Sequence, residues 1–210
     1  MTQPELTEEV RKTVGGKRSF GPKSNVYSKP PVVIGSYNED GTANVMSASW
    51  YGIVNSKPLK VSVSLRPATH SYNNLVRDGV YTVNIPNESL AAFVEFVGHH
   101  SGRDMDKFEK TGFTPVEAEY VNAPYVDEFP VVLECKVTEF HDLGSHRMFI
   151  GEVIDTKVNE NILNKRGQVD VELFKPLFIG VGGYTSSGPV IGEGKELRKK
   201  YEVDLIEEAQ

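Results

Sequence analysis

The sequence predicts a mainly β domain, closed or nearly closed into an antiparallel barrel, with short helical insertions. Three observations carry that reading. Short apolar segments of alternating polarity recur along the middle of the chain, the connections between several of them are brief, and no strand leads into a long helix as a repeated unit. The last point weighs against a doubly wound sheet, the weaker alternative. A chain of 210 residues that is 39% hydrophobic can bury one barrel-like core or two small ones, and that composition argues against disorder as its overall state.

The elements follow in order. Residues 1–29 are polar and interrupted by Gly15, Gly16, Gly21 and Pro22, and read as a wrapping arm with room for a helical turn at 4–12. Pro30-Pro31 then holds the backbone extended just before Val32. Val32 to Tyr37 reads as a strand, Asn38-Glu39-Asp40-Gly41 as a turn, and Ala43 to about Ile53 as the antiparallel partner. From Leu59 to Leu65 the alternation is clean: Val61, Val63 and Leu65 face one way, Ser62, Ser64 and Arg66 the other. Strands are expected again at Val80 to Ile85, Val131 to Phe140 and Met148 to Val158. Helices fit Ser71 to Val76, Glu88 to Val97, and Met105 to Lys110 before Gly112. The longest excursion without a strand runs over 98–130. A barrel domain at 30–189 is expected to give way to a charged tail at 190–210, beyond a stretch, 180–194, with six glycines.

A net charge of −6 disfavours a nucleic-acid or anionic-membrane surface. The single cysteine, Cys135, falls among Val131, Leu133 and Val137 on an apolar face and reads as a buried thiol. Without a leader-like start or a run of roughly 18 apolar residues, a cytoplasmic location with no membrane contact is the expectation. Familiar catalytic signatures are missing. There is no GxSxG elbow, HExxH or GxGxxG, and Gly194-Lys195 fails the phosphate-loop spacing because Pro189 stands where glycine is needed and Glu196 where Ser or Thr is needed. His99-His100 would point apart in a regular element, and no metal is expected.

Two constellations carry chemistry. Ser62, Ser64 and Arg66 share a strand face, and Thr69 precedes a helix start, so a hydroxyl, first-turn amides and a guanidinium can converge on one phosphate. The competing reading is that Thr69 only caps its helix and Arg66 reaches into solvent. In Asn44–Trp50, followed by Gly52, small residues would let a flat ring approach the backbone, although a lone tryptophan such as Trp50 more often fills a core position.

Taken together, GTANVMSASWYGIV (41–54), KPLKVSVSLRPATHSYNNLV (57–76), YTVNIP (81–86), SGRDMDKF (101–108), APYVDEFPVVLEC (123–135) and LGSHRMFIGEV (143–153) resemble the flavin reductase-like family of FMN-binding split-barrel proteins, nearest its flavoredoxin branch. The resemblance implies a six-stranded Greek-key split barrel and a homodimer with noncovalent FMN near the subunit interface. By position it implies ring contacts from Ser47, Ala48, Ser49 and Trp50, a phosphate site from Ser64, Arg66, Thr69 and His70, and Asn84 beside the isoalloxazine. Ser101, Arg103, Asp104 and Lys107 would belong to the loop closing over the ligand. His146 would face the catalytic side of the flavin, with Ser145 standing where many relatives carry aspartate. The implied activity is transfer of hydride from NADH or NADPH through FMN to free flavin or another acceptor. An electron carrier between redox partner proteins, or a flavin-binding sensor without turnover, remain alternatives.

Overall fold

The computed structural model describes residues 16–24 and 26–199. The helical turn expected at 4–12 and the end of the charged tail lie outside them. Eleven strands are described, with four short helices between them and a helical segment at 194–199: β1 Val32–Tyr37, β2 Ala43–Ala48, β3 Tyr51–Ser56, β4 Leu59–Leu65, α1 His70–Asp78, β5 Val80–Ile85, α2 Ala91–His99, α3 Lys107–Thr111, β6 Pro115–Glu117, β7 Pro124–Val126, β8 Val131–Asp142, β9 Arg147–Val158, α4 Val171–Phe174, β10 Leu177–Gly180 and β11 Gly183–Ser186. The principal sheet is antiparallel, in the order β2-β1-β5-β8-β9-β4-β3.

The β1–β2 hairpin turns where the sequence places it. Asp40 accepts from Thr42 N at 3.0 Å and Thr42 Oγ1 at 2.6 Å, and Gly41 takes φ 83°, a conformation that favours a residue without Cβ. The partner strand, however, does not continue to Ile53. Its last pair with β1 is Ala48 with Val32, and the next residues of the neighbouring chain are Pro31 and Pro30, which have no N–H to extend the ladder. The chain therefore leaves β1 at Ser49-Trp50 and begins β3, which pairs with β4 instead.

This break decides the architecture. β2 and β3 occupy opposite ends of the sheet order but are separated by two residues, so the sheet must curl until its ends are neighbours. Trp50 O accepts from Ser64 N at 2.9 Å at this seam. The sheet consequently has seven strands and is open at the seam, where a six-stranded split barrel, closed or nearly closed, was expected.

The curl makes two apolar cores. Val32, Ile34, Val61, Val63, Leu65, Tyr81, Val83, Leu133, Cys135 and Phe149 pack together on one face. Val33, Val45 and Val132 pack on the other with Val94, Val97 and Phe108. Successive residues of β1 thus serve different cores, which explains its unbroken apolar run. Cys135 is fully buried and burial pushes its thiol up to about 12, as its apolar face implied. The 98–130 excursion, expected to lack strands, carries the β6–β7 ladder; the three residues of each were too few to leave a periodic signal. Among the described residues no helix is long and apolar enough to cross a membrane.

Candidate functional site

A cavity of about 280 Å³ opens where α1, the C-terminal end of α2 and the loop before α3 meet the end of β2. The α1 terminus is built by a polar network. Asn44 donates to Ser71 Oγ at 2.8 Å, Asn74 donates to Ser36 Oγ and Asn38 Oδ1, both at 3.1 Å, and His70 Nε2 donates to Asn38 Oδ1 at 2.9 Å. Ser36, Asn44, Ser71 and Asn74 are all buried, so these bonds hold the helix in one orientation on the β1–β2 hairpin. Burial, then the charges of Arg103 and Lys107, hold His70 below the ordinary imidazole value.

Thr69 occupies the N-cap position but makes no cap bond, donating its hydroxyl to Arg66 O at 2.9 Å. The first-turn amides of α1 are therefore left facing the cavity without a side-chain acceptor. That removes the capping role as the reason for Thr69. Arg103 reaches the same rim, its guanidinium donating to Ala68 O at 2.9 Å.

Lys107 approaches from the opposite wall. It is 4% exposed, and its ammonium donates to Val45 O at 2.8 Å and Val97 O at 2.9 Å, joining β2 to the C-terminal turn of α2. No carboxylate pairs with it among the described residues, and burial lowers its pKa to about 8. An ammonium has three protons, so one remains for the cavity. Two glycines bring main chain to the wall: a Cβ at Gly98 would sit 3.2 Å from Ser47 Cβ, and one at Gly102 would collide with Asn44 Oδ1.

A second cavity, of about 360 Å³, lies across the seam between residues 27–30 and the β3–β4 hairpin, lined by Ser49, Trp50, Ser62 and Ser64 among others. Beyond it His146 meets the Trp50 ring edge-on, with ring centroids 6.0 Å apart, and its Nδ1 lies 2.9 Å from Ser145 Oγ. Serine thus supplies the neighbour that the resemblance assigns to a carboxylate.

The first cavity gathers Ser47, Thr69, His70, Ser101, Arg103 and Lys107; the second gathers Ser49, Trp50 and Ser64. Arg66 and Asp104 are exposed and line neither, although Arg66 is tied to the site through its carbonyl. Ala48 is buried in the first core, leaving only its main chain for a ligand. The expectation for Asn84 is corrected. It is fully buried, donates to Val33 O at 2.9 Å and Thr82 Oγ1 at 3.1 Å, and accepts from Val126 N at 2.9 Å, so its side chain secures β7 and presents nothing to a ring.

His99 and His100 were set aside in the sequence, yet both line the first cavity. His99 ends α2 and His100 is already extended, at φ −106° and ψ 144°, so the helical spacing that would separate them does not apply. Their Nδ1 atoms donate to Glu95 O at 3.2 Å and Phe96 O at 2.9 Å. Their only sequence signal was their position at a helix end, where imidazoles complement exposed carbonyls. Among the described residues no three metal-ligating side chains converge.

The chain matches the flavin reductase-like domain over residues 24–184. Flavoredoxin of Desulfovibrio vulgaris (Miyazaki F) is similar at 35% identity with a TM-score of 0.80, over 85% of this chain and 97% of that one. Flavoredoxin from Methanosarcina acetivorans gives 25% identity and a TM-score of 0.76, over 85% and 96%. An uncharacterized protein of Aquifex aeolicus (strain VF5) is 27% identical over 157 residues, 72% of this chain and 80% of that protein. Since the matched segment takes in the whole curled sheet and both cavities, the chain belongs to the flavin reductase-like family of flavin-binding oxidoreductases.

Proposed function

We propose that the protein binds FMN with its phosphate in the first cavity and its ring along the Ser47–Trp50 stretch between the two cavities, and transfers hydride from NADH or NADPH to free flavin or another acceptor. The observation that carries the reading is the first cavity: an uncapped helix N-terminus, Arg103 and a buried Lys107 without a carboxylate partner converge there, and none of the lining residues is acidic. A phosphate fits that donor set better than any neutral group does. Thr69, Ser101, Arg103 and Lys107 would hold it, while Ser47, Ser49, Ser64 and the Ala48 main chain would border the ring. Bound FMN supplies hydride and electron transfer, chemistry for which the chain itself has no residue set. Within that assignment Arg103 and Lys107 supply positioning and affinity, and His146 orients the incoming reactant or holds a proton at Nε2.

A homodimer is part of the proposal. Ile53 and Val54 on β3 are 73% and 47% exposed at the edge of the second cavity, a surface suited to cover by another copy.

Titration with FMN and riboflavin, followed by anaerobic rapid mixing with NADH and NADPH, tests the assignment. FMN should bind at least tenfold more tightly, because riboflavin has no phosphate for a charge-assisted contact. Equal affinities would refute the phosphate site. A flavoprotein that neither nicotinamide reduces, but that a reduced protein donor does, would be an electron carrier, the reading favoured by the similarity to two flavoredoxins.

A further inference from the structure

Lys29 is a half-buried cation with no anion beside it among the described residues. Its main chain is fixed on both sides of a bridge to β10, donating to Ile179 O at 2.9 Å and accepting from Ile179 N at 2.8 Å. Its ammonium lies 5.1 Å from the centroid of Trp50 and 5.8 Å from that of Tyr27, and no carboxylate pairs with it among the described residues. Two ring faces hold the charge in place without neutralising it.

The surroundings suit an anion. Ser49, Ser62 and Ser64 add hydroxyls to the second cavity, and neither Asp nor Glu lines it. At Gly52 an added Cβ would meet nothing within 4 Å, so the wall beyond Trp50 is open rather than packed. A ligand with its charge at Lys29 would lay its body along the exposed Trp50 and Tyr27 rings, which favours a flat one. We infer that the second cavity is a reactant subsite for a planar compound carrying an anionic group, and that Lys29 selects for the charge. This rests on the proposal that flavin lies along the Ser47–Trp50 stretch. It deepens that reading by assigning the amino-terminal segment a role in choosing the reactant. The anionic group has two sources of the same chemistry, the phosphates of a nicotinamide nucleotide or the carboxylate of an aromatic acid.

The test uses the full FMN-loaded protein and its Lys29→Ala, Lys29→Glu and Lys29→Arg variants. Benzoate and its neutral isostere benzamide are titrated against the flavin absorbance spectrum, and the saturation constant for NADH and NADPH is read from anaerobic reduction. FMN affinity should be unchanged in all variants, since Lys29 is not part of the phosphate site. Loss of the charge should weaken the anionic reactant by about tenfold, charge reversal by more, with recovery in Lys29→Arg and no effect on benzamide. A shift confined to the nicotinamides identifies the nucleotide as occupant, and one confined to benzoate identifies an aromatic acid. If FMN binds normally and neither series moves, or if benzamide weakens as much as benzoate, the subsite is overturned. A parent protein that takes up no FMN overturns the flavin reading itself, and the subsite with it.

Discussion

Two buried ionisable groups, Glu134 and Lys107, have opposite fates in this fold. Glu134 is fully buried on β8, where its carboxylate accepts from Glu119 N at 3.1 Å and Tyr120 N at 2.6 Å and lies 3.1 Å from Lys157 Nζ. Lys157 is shared with Asp155 and Glu119, contacts that raise its pKa. Both carboxylate oxygens of Glu134 are thus engaged, by the loop after β6 and by Lys157 on β9. Lys107 is almost as buried, yet it has two neutral carbonyls for partners and faces a cavity. A buried charge whose contacts are complete serves the structure; one left a proton short beside a cavity is available to a ligand.

The comparison breaks most visibly through stability. Glu134→Ala orphans two amides and removes one anion from Lys157, and should cost about 3–5 kcal/mol in urea unfolding. FMN affinity of the folded fraction should stay near that of the parent. A loss of FMN affinity without loss of stability would reverse the roles assigned to the two groups. Lys107→Met should act on the ligand: FMN should weaken by about tenfold to one hundredfold, the worth of one charge-assisted bond, while riboflavin hardly changes. An equal loss for both flavins, measured by fluorescence quenching, would mean that Lys107 only braces β2 against α2.

Proton linkage sharpens the same contrast. With its pKa lowered to about 8, Lys107 keeps its ammonium below that pH and loses it above, so FMN affinity should fall by up to about tenfold between pH 7 and 9. His70, Arg103, His99 and His100 also face the cavity, so the slope is assigned by difference from Lys107→Met, which should flatten it. Stability without flavin moves the opposite way. The unfolded chain holds this proton more tightly than the folded one, so the Lys107 contribution grows more favourable as pH rises above about 8. The smallest effect is expected at His146. Held at Nδ1 by the Ser145 hydroxyl rather than a carboxylate, its replacement by Ala should slow nicotinamide reduction by tenfold at most and leave FMN binding intact. An unchanged rate with both nicotinamides would return His146 to an orienting role at its turn.

The residues expected at a phosphate are close in sequence, which let the sequence group them, but the structure parts them: Thr69 and His70 line the first cavity, Ser64 the second and Arg66 neither. Arg66, Thr69 and His70 lie within one strand-to-helix connection, and the alternation of β4 already separates Ser62 and Ser64 from Val61 and Val63. The residues expected at the ring are divided in the same way. Ser47, Ser49 and Trp50 read as one strand, but the two prolines opposite them divide it, and they end on two sides of a seam. Asn84 was placed beside a ring by the resemblance alone, because a strand asparagine shows no local sign of where its bonds go; Val33 and Val126, distant in sequence, and Thr82 consume them.

Alternating polarity, the Asp-Gly turn, the position of α1 and the core placement of Cys135 were set by the sequence alone, since each depends on neighbours a few residues away and on the burial of apolar side chains. Tertiary structure decided the rest: that the sheet curls with seven strands and an open seam, that Thr69 leaves α1 uncapped, that Lys107 is buried against two neutral carbonyls, and that Lys29 comes to rest over Trp50. Each of these joins segments far apart in the chain, and contacts of that kind exist only once the two cores have packed and brought the sheet ends together.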